Sequence, residues 1–231
     1  YIATGDGDFF DTYSVGILKS SDGGLTWHAT SLTQDVSDKS AFRRILIHPA
    51  NPDIMIAAGY DGIYRTTDGW DTYSLILTGH FKDLEFKPGD PSVVYASSNA
   101  KVYRSTDNGV TFNEFMLGME EYINGQTNRI ELAVTPADPM VVYALCSDIR
   151  SNGLFGVYRS SLGGLIWKKV YGNDKINLLG ICQGGAFSLC YASMHPDKVK
   201  NLVTMVTPVD FQTPDNMLSH WVQKVDADLV V

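Results

Sequence analysis

The chain has 231 residues, 44% of them hydrophobic and 19% charged, an ordinary globular composition with room for one large or two small domains. Eighteen Lys and Arg stand against 26 Asp and Glu, a formal net charge of −8, and such a surface repels phosphate backbones and argues against a nucleic-acid partner. No apolar run approaches the roughly 20 residues that span a bilayer, so no membrane span is expected.

The chain opens at Tyr1 without a Met or a basic-then-apolar leader, which is expected of a processed or truncated start. From there to about residue 172 it alternates short strands with turns, and one unit recurs. Ser20-Ser21-Asp22-Gly23-Gly24-Leu25-Thr26-Trp27 returns as Thr66-Thr67-Asp68-Gly69-Trp70-Asp71-Thr72-Tyr73. It returns again as Ser105-Thr106-Asp107-Asn108-Gly109-Val110-Thr111-Phe112, and in weaker form as Ser160-Ser161-Leu162-Gly163-Gly164-Leu165-Ile166-Trp167. The third positions lie 46, 39 and 55 residues apart. A second marker travels with the first: His48-Pro49 then Asn51-Pro52, Lys87-Pro88 then Asp90-Pro91, Thr135-Pro136 then Asp138-Pro139. Each Pro pair precedes an apolar strand, and each such strand is followed by another that ends Tyr-Arg-Ser or Tyr-Arg-Thr, at Tyr64, Tyr103 and Tyr158.

This is turn chemistry. An Asp in a tight turn accepts backbone N–H bonds, and Gly supplies positive φ where a Cβ clashes. Asp22, Asp68 and Asp107 are therefore expected to be structural rather than catalytic or calcium-binding, since a catalytic pair has no reason to recur once per unit. Four strands per unit at this period suit propeller blades. The repeats resemble the Asp-box (S-x-D-x-G-x-T-W, BNR-type) repeats of sortilin-like and xyloglucanase-type β-propellers. The count is just under four blades, because residues 1–30 supply only three strands. Trp27, Trp70, Phe112 and Trp167 are expected in packing rather than on sugars. Glu114, Glu120, Glu121 and Glu131 are placed near a solvated loop, and His28, His48 and His80 at the surface.

From Lys175 the pattern changes. Ile176 to Ile181 is an apolar run suited to a buried parallel strand. It enters Gly180-Ile181-Cys182-Gln183-Gly184-Gly185, then a helical stretch to Met194 stopped by His195-Pro196, then a second strand from Leu202 to Val206. Strand, G-x-C-x-G, helix, strand is the nucleophile-elbow arrangement of α/β hydrolases with Cys in place of Ser. Cys182 is the expected nucleophile, with a helix N-terminus behind it and the Gln183 backbone N–H as one oxyanion-hole donor. Gly180, Gly184 and Gly185 are expected to let strand and helix close up. Cys146 and Cys190 are expected in cores. Cysteine and histidine spacing gives no metal site, and Cys182 and Cys190, about 12 Å apart on one helix, are beyond disulfide reach.

Residues Lys175 to Val231 resemble class III poly(3-hydroxyalkanoate) synthases, on Leu178 to Gly185, Pro196 to Val203, and Thr207-Pro208-Val209-Asp210-Phe211. That resemblance implies acyl transfer from a 3-hydroxyacyl-CoA to polyester through Cys182, no resident cofactor, and partners that include acyl-CoA, polyester and a second synthase subunit. For the propeller part it implies a glycan or peptide ligand, or a glycoside hydrolase. Synthase-like proteins imply a cytoplasmic location and such propellers a secretory one. None of His195, His220, Asp210, Asp215, Asp226 and Asp228 matches the family's catalytic His or Asp. The whole reads as multidomain and as a fused or chimeric piece, or an accident of sequence assembly. A partial all-β propeller fills residues 1–172, and a partial α/β-hydrolase-like strand-elbow-helix-strand segment fills 173–231. It is expected to be inactive by itself.

Overall fold

The computed structural model describes residues 1–6, 12–119, 123, 125–170 and 176–207. The chain divides into two compact units, Tyr1–Tyr171 and Gly172–Val231. The first is built of antiparallel sheets. β1 (Ile2–Ala3), β2 (Gly16–Lys19) and β3 (His28–Thr33) form a three-stranded sheet. Three four-stranded meanders follow. They are β4 (Phe42–Ile47) to β7 (Ser74–Thr78), β8 (Phe81–Lys87) to β11 (Asn113–Glu114), and β12 (Thr127–Val134) to β15 (Lys168–Lys169). Between them run β5 (Met55–Gly59), β6 (Gly62–Thr66), β9 (Asp90–Ser98), β10 (Val102–Ser105), β13 (Val142–Asp148) and β14 (Leu154–Ser160). In the four-stranded sheets the Asp box links the third and fourth strands. In the first sheet it links β2 and β3, so β1 holds the place of a second strand.

The apolar runs after the first two Pro pairs are buried because sheets flank them on both sides, whereas the run in β13 buries Val142, Ala144 and Cys146 and exposes Tyr143 and Leu145. Successive residues of a strand point to opposite faces. Met55 and Ala57 accordingly enter one cluster with Ile17, Leu32, Phe42 and Trp70, while Ile56 and Ala58 enter the next with Phe81, Leu84, Val94 and Ala96. Val93 and Tyr95 face the third cluster, with Val142, Ala144 and Cys146.

The turns explain why the two sequence markers travel together. In the third box Asp107 Oδ1 accepts the Thr111 N–H at 2.9 Å and the Ser105 hydroxyl at 2.6 Å, and Oδ2 accepts the Thr111 hydroxyl at 2.6 Å. Asp68 repeats these bonds with Thr72 and Thr66, and Asp22 with Thr26 and Ser20. In the three four-stranded sheets the residue after the box Asp or Leu then donates its N–H to the carbonyl of the residue after the second Pro. These bonds are Gly69 to Asp53 at 3.1 Å, Asn108 to Ser92 at 2.9 Å and Gly163 to Met140 at 2.8 Å. The fourth turn, with Leu162 and Ile166 in place of Asp and Thr, keeps this bond and the Ser160 hydroxyl, which accepts the Gly164 N–H at 3.0 Å.

All four turns place their fourth and fifth residues at positive φ. At the fifth position Gly109 is required, since a Cβ there would strike Ile56. Trp70 occupies the same position at φ 69°. Its backbone is strained, but its indole is fully buried between the first two sheets and donates to Met55 Sδ at 3.1 Å. Its carbonyl accepts the Ser31 N–H at 3.1 Å and hydroxyl at 2.7 Å, from the preceding sheet. Of the aromatics expected in packing, Trp167 is buried and Phe112 partly so, whereas Trp27 is 38% exposed and its indole donates to the Gly24 carbonyl of its own turn at 3.1 Å.

The second unit holds β16 (Ile176–Ile181), α1 (Gln183–Met194) and β17 (Val199–Met205). β16 and β17 pair in parallel, Leu179 against Val203 and Ile181 against Met205. These four side chains are all more than half exposed, so β16 is not the buried strand its composition suggests. Cys190 is likewise exposed rather than in a core. Both departures have one cause: among the described residues a single helix lies against two strands, with no second layer. No helix among the described residues is long and apolar enough to cross a membrane.

Trp70→Gly relieves the positive-φ strain but empties the site of the indole, and the cavity outweighs the strain. Chemical denaturation should show a loss of about 2–3 kcal/mol. The turn bonds also set an acid limit. Donation from the Thr72 hydroxyl and N–H lowers the Asp68 carboxyl to about 2; at Asp107 partial burial pushes upward, but the Ser105 and Thr111 donors prevail and hold it at about 2. A carboxyl depressed by folding stabilises the fold above its ordinary range near 4. That contribution disappears as pH falls from about 4 to about 2, and Asp107→Asn should flatten the acid limb of a circular-dichroism titration in that window.

Candidate functional site

Cys182 sits at the hinge between β16 and α1 with φ 55° and ψ −125°, a conformation that L residues rarely adopt. Two backbone bonds fix it: its N–H donates to the Met205 carbonyl at 2.9 Å, and its own carbonyl accepts the Gly185 N–H at 3.0 Å. The side chain is exposed. Gly180 is required because a Cβ there would lie 2.5 Å from Gly185 Cα and 2.6 Å from the Gly184 carbonyl oxygen. Gly185 is required because a Cβ would overlap Thr207. At Gly184 no atom of the described residues outside its own helical turn lies within 4 Å of such a Cβ, so no close contact there demands glycine. Gln183 begins the helix, where first-turn N–H groups have no intrahelical acceptor.

His195 caps the far end of α1, donating its N–H to the Tyr191 carbonyl at 2.9 Å with its ring 4.8 Å from the Tyr191 ring. A helix of twelve residues puts it about 18 Å from Cys182, too far for a base. His220, Asp210, Asp215, Asp226 and Asp228 lie outside the described residues, as do Glu120 and Glu121. Cys146 is fully buried, and burial pushes its thiol up to about 12.

In the first unit two of the four glutamates expected near a solvated loop, Glu114 and Glu131, stand on strands instead. Glu114 in β11 pairs with Lys101 at 2.6 Å, and Glu131 in β12 pairs with Arg129 at 2.5 Å. Asp83, 1% exposed, joins the first strands of three successive sheets. It accepts from Arg44 Nε on β4 at 2.8 Å, from its neighbour's Leu84 N–H at 2.9 Å and from the Leu132 N–H on β12 at 2.9 Å. Arg44 also reaches Glu85 at 2.8 Å. Burial raises the Glu85 and Glu131 carboxyls, with the Asp83 charge adding to both. Glu114 and Glu131 thus pair within their own sheets, while Asp83 and Glu85 are committed to Arg44 and to backbone N–H groups, an arrangement that ties sheets together. Its signal in the sequence is the charged residue at one register position of each first strand: Arg44, Asp83, Arg129.

His48 Nδ1 accepts the Ala50 and Asn51 N–H groups in its Pro loop, and His80 lies against Tyr60. Lys19, Ser21, His28, Thr30 and Asp71 line a surface pocket of about 300 Å³. Among the described residues no group of three or more His, Cys, Asp or Glu is placed to hold a metal ion.

Residues 165–230 match the model of the α/β hydrolase fold family. The poly(3-hydroxyalkanoate) polymerase subunit PhaC of Allochromatium vinosum is 73% identical over 64 residues, 28% of this chain and 18% of that protein. The same subunit of Thiocystis violacea is 79% identical over 58 residues, 25% of this chain and 16% of that protein. The chain thus spans less than a fifth of the curated relatives it matches. Among solved structures, an ancestral GH74 enzyme aligns with a TM-score of 0.57 over 70% of this chain and 22% of its own, at 18% identity, a likeness of fold alone. The chain is a mostly-β protein of propeller-like sheets whose C-terminal part is similar to PhaC subunits and has an α/β hydrolase match.

Proposed function

We propose that residues 173–231 carry the nucleophile elbow of a polyhydroxyalkanoate synthase-like acyltransferase, with Cys182 as its nucleophile. The observation that carries the reading is the strained, exposed cysteine held between a parallel strand and a helix N-terminus. The local identity to PhaC subunits supports the same chemistry. In it, the Cys182 sulfur bonds to the acyl carbon of a 3-hydroxyacyl-CoA, the bond from that carbon to the CoA sulfur breaks, and CoA leaves as the thiol once protonated. The Gln183 N–H faces the oxyanion that forms on the way. Exchange of one thioester for another is nearly isoenergetic, so the acyl group stays activated for a polyester hydroxyl. Sustained turnover needs a base for the sulfur or the incoming hydroxyl, and His195, at the far end of α1, is out of reach of Cys182.

For residues 1–172 the reading is a binding module for a glycan or peptide rather than a glycoside hydrolase. The pocket beside Lys19 offers a cation, a carboxylate and hydroxyls, while the carboxylates of the first strands are occupied in holding sheets. Glycan and peptide arrays probed with the chain and with Lys19→Ala test it; a signal that the variant loses supports the pocket, and equal signals refute it.

Alkylation followed by mass spectrometry should mark Cys182 and Cys190 in the native chain and Cys146 only after denaturation. Incubated with 3-hydroxybutyryl-CoA, the chain should release at most about one equivalent of CoA, and Cys182→Ala none. Many turnovers abolished by Cys182→Ala would show that the base is present after all; release that survives the substitution would dismiss Cys182 as nucleophile.

A further inference from the structure

Cys182 is not the only strained residue where the parallel pair ends. β16 and β17 stay in register as far as Ile181 against Met205, and the next residue of each strand, Cys182 and Val206, has positive φ, 55° and 50°. A β-branched residue at such a φ is a rare outlier and persists only where something nearby offsets the strain. At Trp70 the buried indole does so, but the Val206 side chain is 86% exposed and buries nothing. The gain lies in the residue that follows. The kink brings Thr207 back beside the elbow, where its side chain lies against Gly185: a Cβ added to Gly185 would overlap Thr207 Oγ1 and fall 2.7 Å from its Cβ and Cγ2. The Thr207 hydroxyl donates to the Met205 carbonyl at 3.3 Å. Met205 and Gly185 are the two residues that fix Cys182, whose N–H donates to the Met205 carbonyl and whose own carbonyl accepts the Gly185 N–H.

We infer that Thr207 is a positioning residue for the nucleophile, bracing both backbone bonds that hold the Cys182 turn; the inference rests on the acyl-transfer reading of Cys182. Thr207 acts through the turn and takes no part in the bond making at sulfur. A carbonyl oxygen has two lone pairs, so the Met205 oxygen accepts the Cys182 N–H and the Thr207 hydroxyl together, and the second donor keeps it aimed at the elbow. The carbon atoms of the same side chain sit on Gly185, so the first turn of α1 cannot roll away from the end of β17 without losing that contact. The steric need for glycine at 185 is therefore the space that this threonine fills. The two halves of the brace are separable by substitution: serine keeps the hydroxyl and loses the methyl, while valine keeps the shape and loses the hydroxyl. A loosened turn misaims the sulfur without altering how acyl-CoA is held, so it should slow the chemical step and spare binding.

Amide hydrogen exchange at Cys182, followed by NMR, reads the bond to Met205 directly. Thr207→Val should speed that exchange by about tenfold, and Thr207→Ser should return it to the parent rate. In the single release of CoA from 3-hydroxybutyryl-CoA, Thr207→Val should lower the rate constant at saturating substrate by about tenfold with the half-saturating concentration unchanged, and Thr207→Ser should recover it. Circular dichroism verifies folding, and if Thr207→Val does not fold, Thr207→Ala carries the same measurements. Unchanged Cys182 exchange in the folded variant, or a Thr207→Ser chain as impaired as Thr207→Val, would overturn the brace. A parent chain that releases no CoA would instead overturn the acyl-transfer reading, and the exchange measurement would still decide for or against Thr207.

Discussion

The first unit depends on one short backbone bond repeated in register: the N–H that follows the third box residue donates to the carbonyl that follows the second Pro of the same sheet. Everything else in a repeat is arranged so that this bond forms. The box Asp gathers its own Thr and Ser so that the turn presents the N–H, and positive φ at two successive residues aims it. The Pro pair fixes the loop that offers the carbonyl. The bond fastens the link between the third and fourth strands to the link between the first and second. The meander then behaves as one rigid plate, and plates stack by their apolar second strands. The fourth turn separates the essential from the reinforcing: it has lost the carboxylate and the threonine, yet it keeps the bond and the φ pattern.

Between plates a second device operates. The turns of the first two four-stranded sheets offer a carbonyl to the sheet before, Trp70 to Ser31 and Asn108 to Arg65, while Asp83 joins three first strands. Asp83 is a buried charge, and such a group is tolerated only when its lone pairs are filled. Here one guanidinium and two backbone N–H groups fill them, so any one donor's removal leaves a buried carboxylate short of a partner.

Much of this was legible before any coordinates. The boxes, the Pro pairs, the three-stranded start and the strand–Cys–helix–strand order all follow from glycine, proline and apolar spacing, because those features act within a few residues. Trp70 was not, since nothing local says that a tryptophan will accept a left-handed backbone; the reward lies 15 residues away, at Met55, and in the preceding sheet. Asp83 escaped for the same reason, its partners being 39 and 49 residues distant. The exposure of Cys190, Leu179 and Ile181 was misjudged because composition reports how much burial a segment wants, not whether a layer is there to supply it. Gly184 shows the limit of motif reading: its place in G-x-C-x-G suggests a steric need, while the close contacts fall at Gly180 and Gly185.

The single helix packed on β16 and β17 among the described residues bears directly on the chemistry proposed at Cys182. A backbone at φ 55°, ψ −125° persists only where its surroundings over-determine it. Here it is held by the Met205 carbonyl, the Gly185 N–H and the tight Gly180–Gly185 approach, all within two strands and a helix. A parallel pair normally draws its stability from helices on both faces, and on the face bearing Leu179, Ile181, Val203 and Met205 each of these side chains remains more than half exposed. A nucleophile needs more than a sharp turn: the carbonyl it attacks must find the oxyanion donor and the base within a fraction of an ångström. In the proposed chemistry the elbow supplies the sulfur and the Gln183 N–H, and the rigidity that would turn such geometry into turnover has to come from packing on the face where Leu179, Ile181, Val203 and Met205 are exposed.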